Sequence, residues 1–349
     1  MTEVARAAGV SIATVSYVVN GTRPVREETR RKVEEAIAQI GYTPNTLARA
    51  LAMSSTSSIG VVVSAITNPF FAGVLAGVDQ ATVDAGLTLL LADSHDEPER
   101  EFEVVRSLRQ RRVDGIILAS SVSPGRTLDH LREAEVPTVL VDRLIDDRFD
   151  QIGPENEEAT ASLVDHLAAR GHRRIAMIRG KAGLGTSEER VAGYRLGLSR
   201  NGLTYDPSLV ADGNSDIPGG HAAMESLLAA DAPPTALIVG NNAMVIGSMQ
   251  ALRAAGVAIP DDIALVSYDD LPGADLFAPP LTAFAQPSAT LGERAVQMLL
   301  DRIADPAMAP RTERLNPHLM HRRSCGCPSR SAPGTDQPSA PPHDEEPST

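Results

Sequence analysis

The sequence predicts an all-helical head followed by an α/β core of two doubly wound parallel-sheet subdomains. Three observations lead there. Residues 1–41 show short helical patterns without strand signals. Residues 59–327 alternate short apolar runs with amphipathic stretches, the pattern of repeated βα units. The apolar runs are continuous, as in strands covered by helices on both faces. There are too many units for one small sheet, so two similar halves with a break near 153–157 account for them better.

In the head, Thr2–Ala8 reads as a short helix and Gly9-Val10 as a turn. Ser11 has the hydroxyl of an N-cap for a second helix that runs to Val19. Val4, Ala8, Val15 and Val18 form one apolar face between these helices. A third helix, Glu27–Ile40, turns Ile37 and Ile40 inward and ends at Gly41. Two short helices joined by a glycine-containing turn make a helix-turn-helix, whose second helix can enter a major groove. A small helical bundle with no DNA role fits the pattern alone about as well.

The core strands are expected at Ile59–Val63, Leu87–Leu91, Gly115–Ala119, Thr138–Val141, Arg174–Ile178, Ala236–Val239 and Ile263–Val266. Helices are expected at 71–85, 98–111, 157–170, 188–201, 220–230, 242–255 and 288–304. Several end at a glycine suited to a left-handed cap: Gly86, Gly171, Gly202 and Gly256. Ligands of such sheets sit beyond the carboxyl ends of the strands. Residues 328–349 hold six prolines and no Leu, Ile, Val, Phe or Met, so they cannot bury a core and are expected to be a disordered tail.

Composition narrows the function class. The 349 residues lack any run of eighteen apolar residues, which excludes a helical membrane span. No basic region precedes an apolar stretch at the N-terminus, so the expectation is a cytoplasmic protein rather than a secreted one. Two cysteines cannot form a disulfide scaffold. The net charge of −13 argues against nucleic acid as partner, but its distribution does not: residues 1–50 carry seven basic and five acidic residues. A mildly basic head on an acidic body is compatible with a DNA-binding head.

The run Val4-Ala5-Arg6-Ala7-Ala8-Gly9-Val10-Ser11-Ile12-Ala13-Thr14-Val15-Ser16-Tyr17-Val18-Val19-Asn20 resembles the headpiece of the lactose/galactose repressor (LacI/GalR) family. So do Val25–Val33 and Gly41-Tyr42-Thr43-Pro44-Asn45. In the core, Asn68-Pro69-Phe70-Phe71, Val113–Ile117, Gly171–Ile175, Arg190–Tyr194, Ser267-Tyr268-Asp269-Asp270 and Pro280-Leu281-Thr282 are similar to further family segments. The matches are collinear over residues 3–327. Compared with the family, the chain starts almost on the first helix, so Thr2 or a residue further upstream would cap it.

The resemblance implies a homodimeric transcription regulator, with a helix-turn-helix head on a pseudo-palindromic operator and a core of the periplasmic-binding-protein type that senses a small molecule. The implied division is a head over 1–41, a hinge helix and linker over 42–58, and a sensing core over 59–327. Within the core, an N-subdomain takes about 59–156 plus 287–314, and a C-subdomain about 157–286 plus 315–327. Family base contacts fall on Ile12, Ala13 and Tyr17. None has the fork of an arginine or amide; Ile12 and Ala13 suit thymine methyl groups, and the Tyr17 hydroxyl suits a base edge or phosphate. Thr14, Ser16 and Asn20 read as phosphate anchors, and Ser11 stands beside them at the cap. The alternative for Ile12 is a place in the core.

Residues 46–52, Thr-Leu-Ala-Arg-Ala-Leu-Ala, are too few for a stable isolated helix. The resemblance implies a hinge helix that folds on DNA, with Ala48 and Leu51 in the minor groove and Leu51 as a wedge that opens a base step. Alternatively Leu47 and Leu51 pack on the core, although the tract Ser54-Ser55-Thr56-Ser57-Ser58 reads as linker.

Carried over by motif, the ligand-binding candidates are Asn68, Phe70, Asp142, Arg190, Asn241 and Asp269. Arg190 could fork onto vicinal oxygens, and Asp269 could accept from two hydroxyls. Each also has a plainer reading: Asp269 could cap a turn, and Arg190 could be a surface ion-pair partner. Ser215 stands where the family often places a stacking aromatic, which disfavours ligands that need a ring there. The implied effector is a sugar or sugar derivative that switches operator affinity from a place between the two subdomains.

Other constellations carry less. His318, His321, Cys325 and Cys327 match no structural-zinc spacing, and two cysteines one residue apart point to opposite faces if extended, so no metal site is expected. Gly183-Leu184-Gly185 lacks the third glycine and the lysine-hydroxyl pair of a phosphate loop. There is no nucleophile elbow, HExxH motif or triad spacing, so neither a cofactor nor catalysis is expected. No leucine heptad marks the tail, which favours a dimer over a tetramer. The competing reading is a ligand sensor with impaired DNA binding.

Overall fold

A computed structural model describes residues 1–20, 23–42 and 55–327. The hinge residues Ala48 and Leu51, the tail 328–349 and the side chain of Asn20 lie outside the described residues.

The head has three helices: α1 (Thr2–Ala8), α2 (Ile12–Asn20) and α3 (Glu27–Ile40). Gly9, at φ 65°, caps α1 in the left-handed region, which an unbranched backbone adopts without strain. Its neighbour Val10 donates its N–H back to the Ala5 carbonyl at 3.0 Å, and the chain turns into α2. Val4, Ala5, Val15, Val33 and Ala36 form the buried core of the head, with Ala8, Val18 and Ile37 half-buried around it. Two expectations are corrected. Ile40 is 40% exposed, because α3 directs Val33 and Ala36 at the other helices and carries Ile40 off that face. Thr2 lies within α1 and no side chain caps that helix.

The described chain then forms two compact units. Unit 1 comprises Met1–Glu157, Lys181–Ala192 and Gln286–Pro317; unit 2 comprises Glu158–Gly180, Gly193–Ala285 and His318–Thr349, described to Cys327. Lys181–Ala192, read from the sequence as part of the second half, is bonded into unit 1. Lys181 Nζ meets Asp96 at 3.3 Å, Arg190 meets Asn156, and Glu189 meets Arg314 at 2.6 Å.

Unit 1 is built on β1 (Ser58–Val63), β2 (Thr88–Asp93), β3 (Gly115–Leu118), β4 (Thr138–Val141), β5 (Asp150–Pro154) and β11 (Thr312–Leu315). Their order in the sheet is β11-β5-β4-β3-β1-β2, and all pairings are parallel. The helices are α4 (Pro69–Asp84), α5 (Pro98–Gln110), α6 (Gly125–Glu133) and α11 (Ser288–Ala304). Strand alternation divides the core between the two faces. Ile59, Val61 and Val63 pack with Ile117, Val139 and Val141 against Val74, Val78 and Leu291. Val62, Ile116, Leu118 and Leu140 face the other way, onto Val105, Leu108 and Leu131. Each such buried aliphatic side chain contributes roughly 1.5–3 kcal/mol, which explains the continuous apolar runs.

Unit 2 repeats the plan with β6 (Ile175–Arg179), β7 (Val210–Asp212), β8 (Ala236–Val239), β9 (Ala264–Ser267), β10 (Thr282–Ala285) and β12 (His318–Met320). The order is β12-β10-β9-β8-β6-β7, with β12 antiparallel to β10. The helices are α7 (Glu157–Ala169), α8 (Gly185–Arg200, of which unit 2 takes Gly193 onward), α9 (Ile217–Leu228) and α10 (Asn242–Ala254). Ile178, Leu237, Val239 and Leu265 pack on Met224, Leu227, Met244 and Leu252.

The head and two parallel α/β halves are those the sequence predicts. Five strands and a helix were not legible in it: β5, β7, β10, β11, β12 and α6. Asp150-Gln151-Ile152-Gly153-Pro154 has no apolar run, yet all five residues are buried between β4 and β11. Their burial is set by strands from elsewhere in the chain, not by their own pattern.

Candidate functional site

The head presents a defined face. Ser11 Oγ accepts the Thr14 N–H at 3.1 Å, capping α2, and pairs with the Thr14 hydroxyl at 2.9 Å. This cap settles the start of α2 and so the phase of the whole helix. Val15 is then fully buried, while Ser11, Ile12 and Ala13 are exposed and Thr14, Ser16 and Tyr17 are half-buried. Ile12 is 49% exposed, which removes its alternative place in the core. The guanidinium of Arg23 lies over the Tyr17 ring, 5.1 Å from its centre, a contact the sequence pattern did not signal. A helix with an apolar, uncharged tip and flanking hydroxyls can offer methyl contacts to base edges and hydrogen bonds to phosphates.

In unit 1 the strand order reverses between β1 and β3, where a ligand crevice of an α/β sheet forms. The carboxyl ends of β1 to β4 carry a polar cluster there. Asp142 follows β4 in the left-handed region, at φ 73°, and its N–H bonds to the Ile152 carbonyl. Arg143, also buried, donates to Asp96 at 2.6 Å and Ser64 Oγ at 3.2 Å, and to the Ser120 carbonyl. Its Nε lies 3.6 Å from the Asp142 carboxylate. Arg143 and Asp96 were missed by sequence reasoning. The one signal for Arg143 is its place two residues past a covered strand, whereas Asp96 sits in a loop with no local signal.

Asn68 and Phe70 stand at the start of α4. Asn68 caps that helix, its Oδ1 accepting the Phe70 N–H at 2.9 Å, and the Phe70 ring meets Phe71 edge-on at 5.1 Å. Arg190, on α8, is buried and donates through Nε to Asn156 Oδ1 at 2.9 Å. Asn156 in turn donates to Glu189 at 2.7 Å. Asp142 therefore joins a bonded cluster with Arg143, and Arg190 joins a second one with Asn156.

In unit 2 the order reverses between β6 and β8. Asn241 and Asp269 follow the adjacent strands β8 and β9, and both are buried. Asn241 caps α10 through the Met244 N–H at 2.9 Å and donates to the Ser215 carbonyl at 3.1 Å. Asp269 accepts the Asn242 N–H at 3.4 Å, and its own N–H bonds to Ser267 Oγ at 3.2 Å. The two candidates are thus linked through the start of one helix. Carboxylates and amides fixed in this way can accept from and donate to a polyhydroxylated ligand.

Glu101 lies beside the unit 1 cluster and is fully buried on α5. Burial pushes its carboxyl above the usual range, although the Ser121 N–H, the Thr127 and Ser121 hydroxyls and the Arg143 charge oppose the rise. The folded chain therefore holds this proton more tightly than the unfolded chain does. The resulting stability is present below the unfolded carboxyl's value and is lost as pH rises through the raised folded value. Glu101→Gln cannot ionise. It is expected to raise the thermal midpoint near neutral pH and to change it little at about pH 4. Calorimetry at both pH values checks this, and equal shifts at both would refute it.

One constellation set aside on spacing is corrected by the structure. The thiols of Cys325 and Cys327 do not point apart: they converge with His321 and with His166 of α7, while His318, exposed in β12, is not in the group.

Residues 1–45 match the family model described as bacterial regulatory proteins, lacI family, and residues 164–325 match that of the periplasmic binding protein-like domain. The ribose operon repressor of Escherichia coli (strain K12) is 37% identical over 327 residues, which are 93% of this chain and 99% of that repressor. The HTH-type transcriptional repressor PurR of Vibrio cholerae serotype O1 (strain M66-2) is 34% identical over 92% of this chain and 96% of its own length. Among solved structures, the lac repressor dimer bound to operator and the anti-inducer ONPF is similar with a TM-score of 0.84 at 29% identity, over 92% of this chain and 97% of that one. A complex of the transcriptional regulator CelR with cellobiose is similar with a TM-score of 0.73 at 32% identity, over 92% of this chain and 98% of that one. The chain belongs to the lacI family of bacterial regulatory proteins.

Proposed function

We propose that the chain is a sequence-specific transcriptional repressor that binds operator DNA as a homodimer and whose hold on the operator is switched by a polyhydroxylated small molecule, a sugar or sugar derivative. The observation that carries this is the pairing of an exposed Ile12-Ala13 tip on a capped recognition helix with buried Asp, Arg and Asn side chains at the carboxyl ends of both sheets. The names of the relatives support the same reading: a ribose operon repressor, the transcriptional repressor PurR, and a regulator complexed with cellobiose.

In this reading Ile12, Ala13 and Tyr17 meet base edges, and Ser11, Thr14, Ser16 and Asn20 meet phosphates. Ala48 and Leu51 act at the operator centre. Asp142 and Arg190 of unit 1, and Asn241 and Asp269 of unit 2, bind the effector's hydroxyls, with Asn68 and Phe70 completing the set. The chain works as a regulator rather than as an enzyme, and in the cytoplasm, where its DNA is. Among the described residues no helix is long and apolar enough to cross a membrane.

The test is a two-stage titration. Genomic fragments retained by the purified protein define the operator, which is expected to be two-fold symmetric. Operator affinity is then measured with pentoses, hexoses, disaccharides and purines. One of the sugars is expected to change affinity by roughly 5–150-fold, the range of a coupling of about 1–3 kcal/mol. Asp269→Ala is expected to abolish that response and to leave operator binding without effector unchanged. A purine as the sole active compound would overturn the sugar assignment. Absence of any retained operator would turn the reading to a sensor with impaired DNA binding.

A further inference from the structure

At the end of the described chain, four metal-ligating side chains from distant parts of unit 2 converge. His166 lies on α7, and His321, Cys325 and Cys327 follow β12. One ligand atom from each lies within 4.8 Å of every other. Cys325 Sγ is 3.5 Å from His321 Nε2, and Cys327 Sγ is 3.6 Å from His166 Nε2. The two imidazole rings stand nearly perpendicular, at 78°, with centres 5.2 Å apart.

Tetrahedral Zn2+ holds thiolate sulfur at about 2.3 Å and imidazole nitrogen at about 2.0–2.1 Å, which places a bound sulfur and a bound nitrogen about 3.6 Å apart. The two sulfur–nitrogen distances already have that value. An ordinary hydrogen-bonded pair does not require two such contacts around one centre.

We propose that His166, His321, Cys325 and Cys327 form a Cys2His2 Zn2+ site that ties the C-terminal turn of unit 2 to α7. The backbone is shaped for it. Gly326, between the cysteines, has φ 75°, a left-handed turn that brings both sulfurs to one side where an extended chain would separate them. The turn is closed by the Gly326 N–H on the Arg323 carbonyl at 3.0 Å, and Arg170, just beyond α7, donates to the Gly326 carbonyl at 2.5 Å. Thr282 Oγ1 lies 3.3 Å from Cys325 Sγ, so its hydroxyl supports the sulfur from outside the ligand set. Both cysteines are unpaired with each other. Two thiols and two imidazoles form a donor set that favours zinc over magnesium or calcium. On binding, each thiol gives its proton to solvent and the sulfur takes the metal, with no change of oxidation state.

The proposal rests on unit 2 alone and is independent of the operator or effector assignment. The test uses the full chain, reduced and stripped with a chelator, then titrated with Co2+ and Zn2+. The expected result is one Co2+ per chain, with thiolate charge-transfer absorption and the strong visible bands of tetrahedral cobalt, both erased by one equivalent of Zn2+. The melting temperature is expected to rise with Zn2+ concentration. Cys327→Ser and His321→Asn, at half-buried and exposed positions, are expected to weaken Zn2+ affinity by more than the roughly 10–100-fold that loss of an outer-shell group costs. His318→Asn is expected to leave it unchanged. Absence of stoichiometric Co2+ binding by the reduced, unsubstituted chain would overturn the proposal, whatever the variants do. So would cobalt bands that survive in Cys327→Ser, or a Cys325–Cys327 disulfide that forms equally fast with and without Zn2+.

Discussion

Val15→Asp is expected to weaken operator binding by at least about a hundredfold and to leave effector binding intact. Val15 is fully buried at the centre of the head, whose core contains Val4, Ala5, Val33 and Ala36 besides. Among the described residues of the head no charged or polar side chain is buried, so a carboxylate there has no partner in that core. Burying an unpaired charge, or unfolding to avoid it, costs several kcal/mol, and a domain of some forty residues has little stability in reserve. About 3 kcal/mol corresponds to a hundredfold change in affinity. The core sheets do not share this side chain, so the variant separates the two activities. Fluorescence anisotropy on a labelled operator, with calorimetry of the effector, measures both. An operator affinity within threefold of the parent's would mean that α2 does not depend on Val15 for its position.

The second large effect is expected at Arg143. Its side chain is 7% exposed and holds Asp96, Asp142, the Ser120 carbonyl and the Ser64 hydroxyl at the strand ends of unit 1. Arg143→Met keeps the length and removes the charge. Breaking a buried ion pair by removing one partner costs about 3–5 kcal/mol. The lower end applies here, because Asp96 is 16% exposed and retains Lys181 at 3.3 Å. Urea unfolding of the full chain, followed by a probe in unit 1, is expected to show a loss of about 3 kcal/mol. A loss below about 1 kcal/mol would class the cluster with surface ion pairs.

These two sites differ in how far the sequence revealed them. The head was legible almost entirely. Its helices are short-range objects: Ser11 caps α2 through the residue three positions on, and Val15 and Val18 repeat at helical spacing. Where the reading failed, at Ile40, the outcome depended on the rotation of α3 on its neighbours, which buries Val33 and Ala36 instead. That rotation is set by packing against Val4 and Val15, which the pattern of α3 does not contain. The central strands β1, β3, β4, β8 and β9 were legible because each must be apolar on both faces to be covered by helices.

The candidate ligand residues divide in the same way. Asp269 and Asn241 follow apolar strands that the pattern locates, and Asp142 follows β4. Arg143 was equally near a visible strand, but an arginine reads as surface until its partners are known. Its partners come from the ends of β1, β2 and β3, dozens of residues away. Glu101 is a stronger case. On an amphipathic helix rich in charge nothing marks it as buried, and its partners Ser121 and Thr127 come from the loop after β3 and from α6.

The sequence by itself determined the backbone periods of the head, of the central covered strands and of all but one of the core helices, and where glycine or a capping hydroxyl ends one and begins the next. These follow from interactions among residues a few positions apart. The tertiary structure decided what converges. It placed the polar strand Asp150–Pro154 inside a sheet by pairing it with Thr312–Leu315, and it brought His166 to Cys327 across 161 residues. Such contacts depend on which strand ends meet in the finished sheet, and a local pattern carries no record of that.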